Sequence, residues 1–212
     1  ITISGSGITS ANIADGTITT DDILASDVSS LKSGRKNLII NGGFQVSQRG
    51  DYTTATAMVH DSYFLDRWKC NVSGVTGTLQ DTTNKVKLVA TSSATGYLRI
   101  IQLFEVAEIN KFAGQQVTFS AKVTSNSSDA RLLIYADGWT STSSHSGGGT
   151  EETLSITITV PSGGVSNFFT YVGINGVNAA SVSITSGDYA EISGVQLELG
   201  SVATDFEHRS YG

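Results

Sequence analysis

From residue 37 onward, apolar and polar side chains alternate with a period of two, the pattern of strands that bury one face. In QQVTFSAKVTS, Val117, Phe119, Ala121 and Val123 point one way while Thr118, Ser120, Lys122 and Thr124 point the other. LSITITVPSG repeats the beat through Leu154, Ile156, Ile158 and Val160 and stops at Pro161 and Gly163. Val86 and Leu88, Val182 and Ile184, and Val195, Leu197 and Leu199 extend it. Two stretches are apolar on both faces, as central strands are. They are YLRIIQLFE (97–105) and RLLIYADGW, where Leu132 and Ile134 oppose Leu133 and Tyr135. Roughly eight to ten strands between Gly/Ser/Asn turns predict an all-β, two-sheet jelly-roll sandwich. One helical turn is expected at VAEINKFAG, before the strand that begins at Gln115.

Upstream the rhythm differs. Ile3, Ile8, Ile13, Ile18 and Ile23 are each five residues apart, and Val28 keeps the step. Five is the period of neither a helix nor a strand. Six pentads are too few to stack into a solenoid that buries its own stripe. The stripe is expected to be buried against copies of the same chain about a symmetry axis, with about 1.5–3 kcal/mol for each buried Ile. From Thr20 a short helix is expected: Asp21 and Asp22 fall in its first turn, and Leu24, Val28 and Leu31 at i, i+4 and i+7. Lys32 falls near its end and Gly34 stops it. The predicted organisation is a stalk (1–20), a helical neck (21–36) and a β-sandwich head (37–212).

Composition supports this division. Charged residues are only 15%, with 23 Gly and a single Pro. A net charge of −6 gives no basic stripe, which argues against nucleic acid and anionic membrane surfaces. No apolar run reaches the length that spans a bilayer, and no charged-then-apolar leader opens the chain. The single Cys70 rules out an internal disulfide framework.

Two segments carry a resemblance. NLIINGGFQVSQRG followed by SYFLDRWK resembles the opening of jelly-roll carbohydrate-binding modules, and EINKFAGQQVTFSAKV is similar to an internal element of theirs. The tail GVQLELGSVATDFEHRSYG resembles the closing segment of phage tail-fibre proteins, as does the ITSANIADGTIT run at 8–19. The resemblance implies a homotrimeric fibre tip, carried outside the cell on the virion and attached to upstream fibre and tail proteins. Such a tip would touch a polysaccharide or lipopolysaccharide of the host envelope. A structural calcium in related modules uses an acid just after the first-strand Phe. Here that position is Gln45, with Glu191 as the nearest last-strand acid, so the set departs from the pattern.

Sugars are held by flat aromatic faces and by side chains that make paired hydrogen bonds. The ligand-binding candidates are therefore Trp139, with Asp137 and His145, in ADGWTSTSSHSGGGTEE, and Tyr52 and Tyr63, which bracket DYTTATAMVHDSY. Trp68 in FLDRW is expected in the core, with Asp66 and Arg67 pairing or capping backbone groups. Phe206 is expected to anchor the tail, and Glu207, His208 and Arg209 to latch it. Nothing marks a catalytic centre: there is no nucleophile elbow or phosphate-cradling loop, and His60, His145 and His208 lack metal-ligand spacing. Asp61, Asp66, Glu151 and Glu152 read as ordinary surface acids. NVS at 71 and NSS at 126 match glycosylation acceptors at the rate a Ser/Thr-rich chain produces by chance. The competing readings are a depolymerase, a purely structural trimer cap, and a monomeric module of a cellular enzyme.

Overall fold

The computed structural model describes residues 36–141 and 144–208; the stalk pentads and the neck up to residue 35 lie outside the described residues. Twelve strands and one short helix follow in the order β1 (Thr56–Ala57), β2 (Lys69–Ser73), β3 (Gly77–Asp81), β4 (Lys85–Ala90), β5 (Ala94–Leu103), α1 (Val106–Asn110), β6 (Gln116–Ser125), β7 (Ala130–Ala136), β8 (Trp139–Ser141), β9 (Glu151–Thr159), β10 (Phe168–Ile174), β11 (Val182–Ile184) and β12 (Tyr189–Leu199). They form two antiparallel sheets. Sheet A runs β1-β3-β4-β12-β6-β9; sheet B is built on β5, which pairs with β2, β10 and β11, while β10 pairs with β7 and β7 with β8. This is the predicted jelly-roll sandwich.

The alternation decides what lies between the sheets. Leu88, Phe119 and Leu197 from sheet A meet Leu98, Leu132 and Phe168 from sheet B, all at 2% exposure or less. Each such side chain contributes roughly 1.5–3 kcal/mol on leaving water. α1, the predicted single turn, buries only Ile109. Trp68 is fully buried, 5.3 Å from the Phe44 ring, and its Nε1 donates to the Asn41 carbonyl at 3.0 Å. Asp66 does not pair with its neighbour Arg67: it lies 3.5 Å from Arg49 and accepts the Gln48 amide at 3.0 Å.

The asparagines of NLIINGGF hold the entering chain. Asn41, at φ 59°, donates to the Val46 and Asp66 carbonyls and accepts the Val46 amide. Asn37 Nδ2 donates to the carbonyls of Val195 and Glu207, and its Oδ1 accepts the amides of Ile39 and Leu197. One side chain thus joins the start of the head, the last strand and the tail. The tail closes the knot. Buried Glu198 accepts the amide and hydroxyl of Thr204, Gln196 Oε1 accepts the Glu207 amide, and the Phe206 ring lies over Gly43 and Gly194.

Candidate functional site

The outward faces of the two sheets differ in chemistry. Sheet A presents Lys85 and Lys87 from β4, Glu191 and Ser193 from β12, Lys122 and Thr124 from β6, and Thr153 and Ser155 from β9. Lys85 Nζ sits 2.9 Å from Glu191, and Thr118 and Thr157 donate to the tail carbonyls of Gly200 and Ser201. That face is polar and partly roofed by the tail.

Sheet B is aromatic outside. Antiparallel register sets its outward side chains in rows. One row runs Leu103, Phe169, Tyr135, Trp139 across β5, β10, β7 and β8. The next runs Tyr63, Lys69, Ile101, Tyr171, Leu133, and a third Asn71, Arg99, Gly173, Arg131. The rings of the first two rows touch. Tyr135 lies nearly parallel to Phe169 at 5.6 Å between centroids and edge-on to Trp139 at 4.9 Å, while Trp139 leans on Tyr171 at 5.4 Å. Leu133, Ile101 and Tyr171 form a buried floor, whereas Phe169, Tyr135 and Trp139 are half-buried and keep ring surface in contact with water. Ala179, in the 3-10 turn Val177–Ala179, packs against the same cluster.

Polar groups surround the rings. The Arg99 guanidinium lies 4.1 Å from the Tyr97 ring centroid and 4.6 Å from that of Tyr171. Burial pushes the Tyr171 hydroxyl above its ordinary pKa, against the pull of the Arg99 charge, so the phenol remains a donor at neutral pH. At the other margin Tyr63 is 43% exposed, with Arg49 at 4.7 Å and Lys69 at 5.0 Å from its ring, and Lys69 also pairs with Asp61 at 3.3 Å.

Of the five residues singled out from sequence, the fold brings Trp139 and Tyr63 onto this one face, toward opposite margins. Trp139 does not head a free loop; it begins β8, and its indole lies on the sheet. Asp137, at φ 55° in the β7–β8 turn, accepts the amides of Ser166 and Asn167 at 2.6 and 3.0 Å and so holds the turn. His145 is 1% exposed: its Nδ1 accepts the Gly147 amide, which leaves Nε2–H to donate to the Thr150 carbonyl. Tyr52 packs edge-on against Phe64 at 6.0 Å and lines a separate shallow depression with Ser47, Gln48, Asp51, Thr53 and Asp81. Tyr135, Phe169, Tyr171, Arg99 and Arg131 were not singled out from sequence. Their signal was present in the second apolar face of RLLIYADGW and in the Phe169-x-Tyr171 alternation.

A calcium clamp does not fit this donor set: Gln45 is neutral, Glu191 is engaged by Lys85, and among the described residues no three His, Cys, Asp or Glu side chains converge. Among the described residues no helix is long and apolar enough to cross a membrane.

No family model matches the chain, and no curated protein does. Solved structures similar in strand layout include a family 4 carbohydrate-binding module (13% identity, 76% of this chain and 99% of that one, TM-score 0.44). Another is the enzymatically active domain of tailspike protein 4 of bacteriophage CBA120 (13%, 77% of this chain, TM-score 0.44), of which the match covers 21%. A third is the xylan-binding CBM22-1 domain of Paenibacillus barcinonensis Xyn10C (10%, 73% of this chain and 99% of that one, TM-score 0.40).

Proposed function

We propose that this chain is the non-catalytic receptor-binding tip of a phage tail fibre. In this reading it acts as a homotrimer, exposed on the virion, and holds a host surface polysaccharide or lipopolysaccharide against the outer face of sheet B. The observation that carries the glycan reading is the contrast between the faces: touching rings ringed by fixed polar groups on one, an ordinary solvated surface on the other. Half-buried rings offer flat apolar area to the C–H face of a sugar, and the neighbouring arginine, lysine, asparagine and tyrosine groups supply hydrogen bonds to its hydroxyls. The acids beside the rows favour binding over cleavage. Glycoside hydrolysis needs two available carboxyl groups about 5–10 Å apart, whereas Asp61 is paired with Lys69 and Asp129 with Arg131. The stalk pentads and the tail motif support the fibre and trimer parts of the reading. Three weak sites on one stalk would gain avidity through effective concentration.

Tryptophan fluorescence tests the site directly. The chain has two tryptophans, of which Trp68 is fully buried and Trp139 lies on the face, so ligand-dependent changes report Trp139. Titration with purified envelope glycans is expected to shift the emission and to reduce quenching by acrylamide. Trp139→Ala and Phe169→Ala are each expected to weaken binding about thirtyfold, roughly 2 kcal/mol for a central aromatic anchor. Val202→Ser, at an exposed tail position, is expected to leave it unchanged. Binding that survives both aromatic truncations would refute the assignment of the face. Light scattering tests the trimer: a monomeric mass for the full chain would remove the fibre argument.

A further inference from the structure

The third row of the face carries more positive charge than the protein neutralises. Arg99 on β5 and Arg131 on β7 each stand opposite Gly173 of the intervening β10, so their backbones lie about 10 Å apart on one side of the sheet. They are 4% and 7% exposed. Arg99 has only neutral company: its Nε donates to Asn71 Oδ1 at 2.7 Å, its Nη1 approaches Asn175 Oδ1 at 3.4 Å, and Tyr97 and Tyr171 give it ring faces. Among the described residues no carboxylate lies within 4.0 Å of it. Arg131 pairs with Asp129 through Nη2 at 3.1 Å, but its buried Nε–H has no acceptor. Of two buried guanidiniums, only that of Arg131 thus has a carboxylate partner.

Such an arrangement is unfavourable by itself. A buried charge without a counter-charge and a buried N–H without an acceptor each cost stability. Arg99 is also held in place before any ligand arrives: it lies between two rings and against Asn175, which is wholly buried and fixed by its amide bond to the Asp129 carbonyl and its Nδ2 bond to the Gly173 carbonyl. A planar carboxylate can accept two parallel N–H bonds from a guanidinium and supply the missing charge. The adjoining rows are aromatic, so the carboxylate that reaches this place with the best fit is one borne by a sugar ring.

We propose that the outer face of sheet B selects an acidic glycan, with the carboxylate of a uronic or similar sugar acid received at the Arg99–Arg131 row while neighbouring sugar rings lie on Trp139, Tyr135 and Phe169. This rests on the glycan-binding reading and names its substrate class.

The test uses the full chain and calorimetric titration against polygalacturonate, alginate, hyaluronan and polysialate, each beside its own carboxyl-reduced neutral form, with sodium acetate as a free carboxylate. The expected result is that at least one acidic polymer binds tenfold or more tightly than its reduced counterpart. Arg131→Gln is expected to abolish that preference, while Trp139→Ala weakens both forms alike. Arg99→Lys, which keeps the charge but not the fork, is expected to lower the preference even where Arg99→Gln fails to fold; melting curves identify that failure. Equal binding of acidic and reduced forms, or binding of reduced forms alone, would overturn the acidic selectivity and leave glycan binding standing. Competition by acetate at the same concentration as the sugar acid would overturn it in favour of a simple anion site. No binding by any polymer, acidic or neutral, would overturn this inference together with the glycan reading.

Discussion

Replacing Asn37 with Ala should loosen the head by about 2–6 kcal/mol, because this side chain acts as a short piece of strand. β4 pairs with β12 only from Tyr189 to Ser193. Beyond that point the edge of β12 is completed by the entering chain: the Leu38 amide donates to the Leu197 carbonyl, the Val195 amide to the Gly42 carbonyl, and Asn37 supplies the bonds between. Truncation leaves the Leu197 amide and the Val195 carbonyl, both on fully buried residues, without partners. Each buried orphan costs about 1–3 kcal/mol, which gives the range stated. The bond to the amide of Ile39, another fully buried residue, and the part-buried bond to the Glu207 carbonyl are lost as well and add to that range. For a chain of this size the loss corresponds to a fall of roughly 4–24 °C in melting temperature. Urea denaturation followed by circular dichroism, beside Val202→Ser as a surface control, measures it. A loss below about 1 kcal/mol would refute the reasoning, since it would mean that the edge of β12 finds other partners without cost.

The two glycines of NGGF should respond differently. A Cβ at Gly42 would sit 2.0 Å from the Val195 carbonyl oxygen, whereas at Gly43 it would meet only the Phe206 and His208 rings at 3.5 Å; Gly42→Ala is therefore expected to cost about 1–3 kcal/mol or more, and Gly43→Ala under 1, by the same denaturation assay. Burial pushes the Cys70 thiol up to about 11. Because the folded value lies above the unfolded one, the contribution is intact below the ordinary thiol range and is lost as pH rises toward 11. Alkylation by iodoacetamide at pH 8 should therefore be slow in the native protein and fast in urea; rapid native labelling would contradict the burial of Cys70.

The alternation at 117–123, 154–160 and 195–199 was legible because each of those strands has one wet and one dry face, so the period of two is visible residue by residue. The aromatic face was not, for a reason that lies in β5, β7 and β10. These strands carry apolar side chains on both sides, and YLRIIQLFE and RLLIYADGW read simply as central strands. Only the register, Phe169 opposite Tyr135 and Tyr135 opposite Trp139, turns scattered aromatics into a row. Trp139 and Tyr63 were identifiable as aromatics next to polar loops. His145 and Asp137 looked equally available in the one-dimensional string, yet the fold spends their polar atoms on backbone amides and carbonyls of the loops around them. Burial of a polar side chain through its own hydrogen bonds leaves no periodic mark in sequence. The unpaired charge at Arg99 is equally silent there, since whether a carboxylate lies near depends on which strands are neighbours.

The motif NLIING, noticed for its likeness to sugar-binding modules, touches no part of the aromatic face, but it bears on that face mechanically. Asn37 and Leu38 are bonded to β12 in sheet A. Two residues on, the Ile40 amide and carbonyl are both bonded to the Gln102 side chain of β5, at 2.9 and 2.8 Å. The entering segment is therefore tied to both sheets before the chain commits to either. β5 is the strand that carries Tyr97, Arg99 and Ile101 on its outer side. A load arriving from residues upstream of 37 and opposed by a ligand on the face would pass through these hydrogen bonds rather than through the loops. Four of the bonds lie side by side along β12, so they share an extending load instead of yielding one at a time. Under the proposed function, with the head anchored at one end and a glycan on its face, that arrangement would keep the head folded under load, and the buried Asn37 and Gln102 would support binding without touching the ligand.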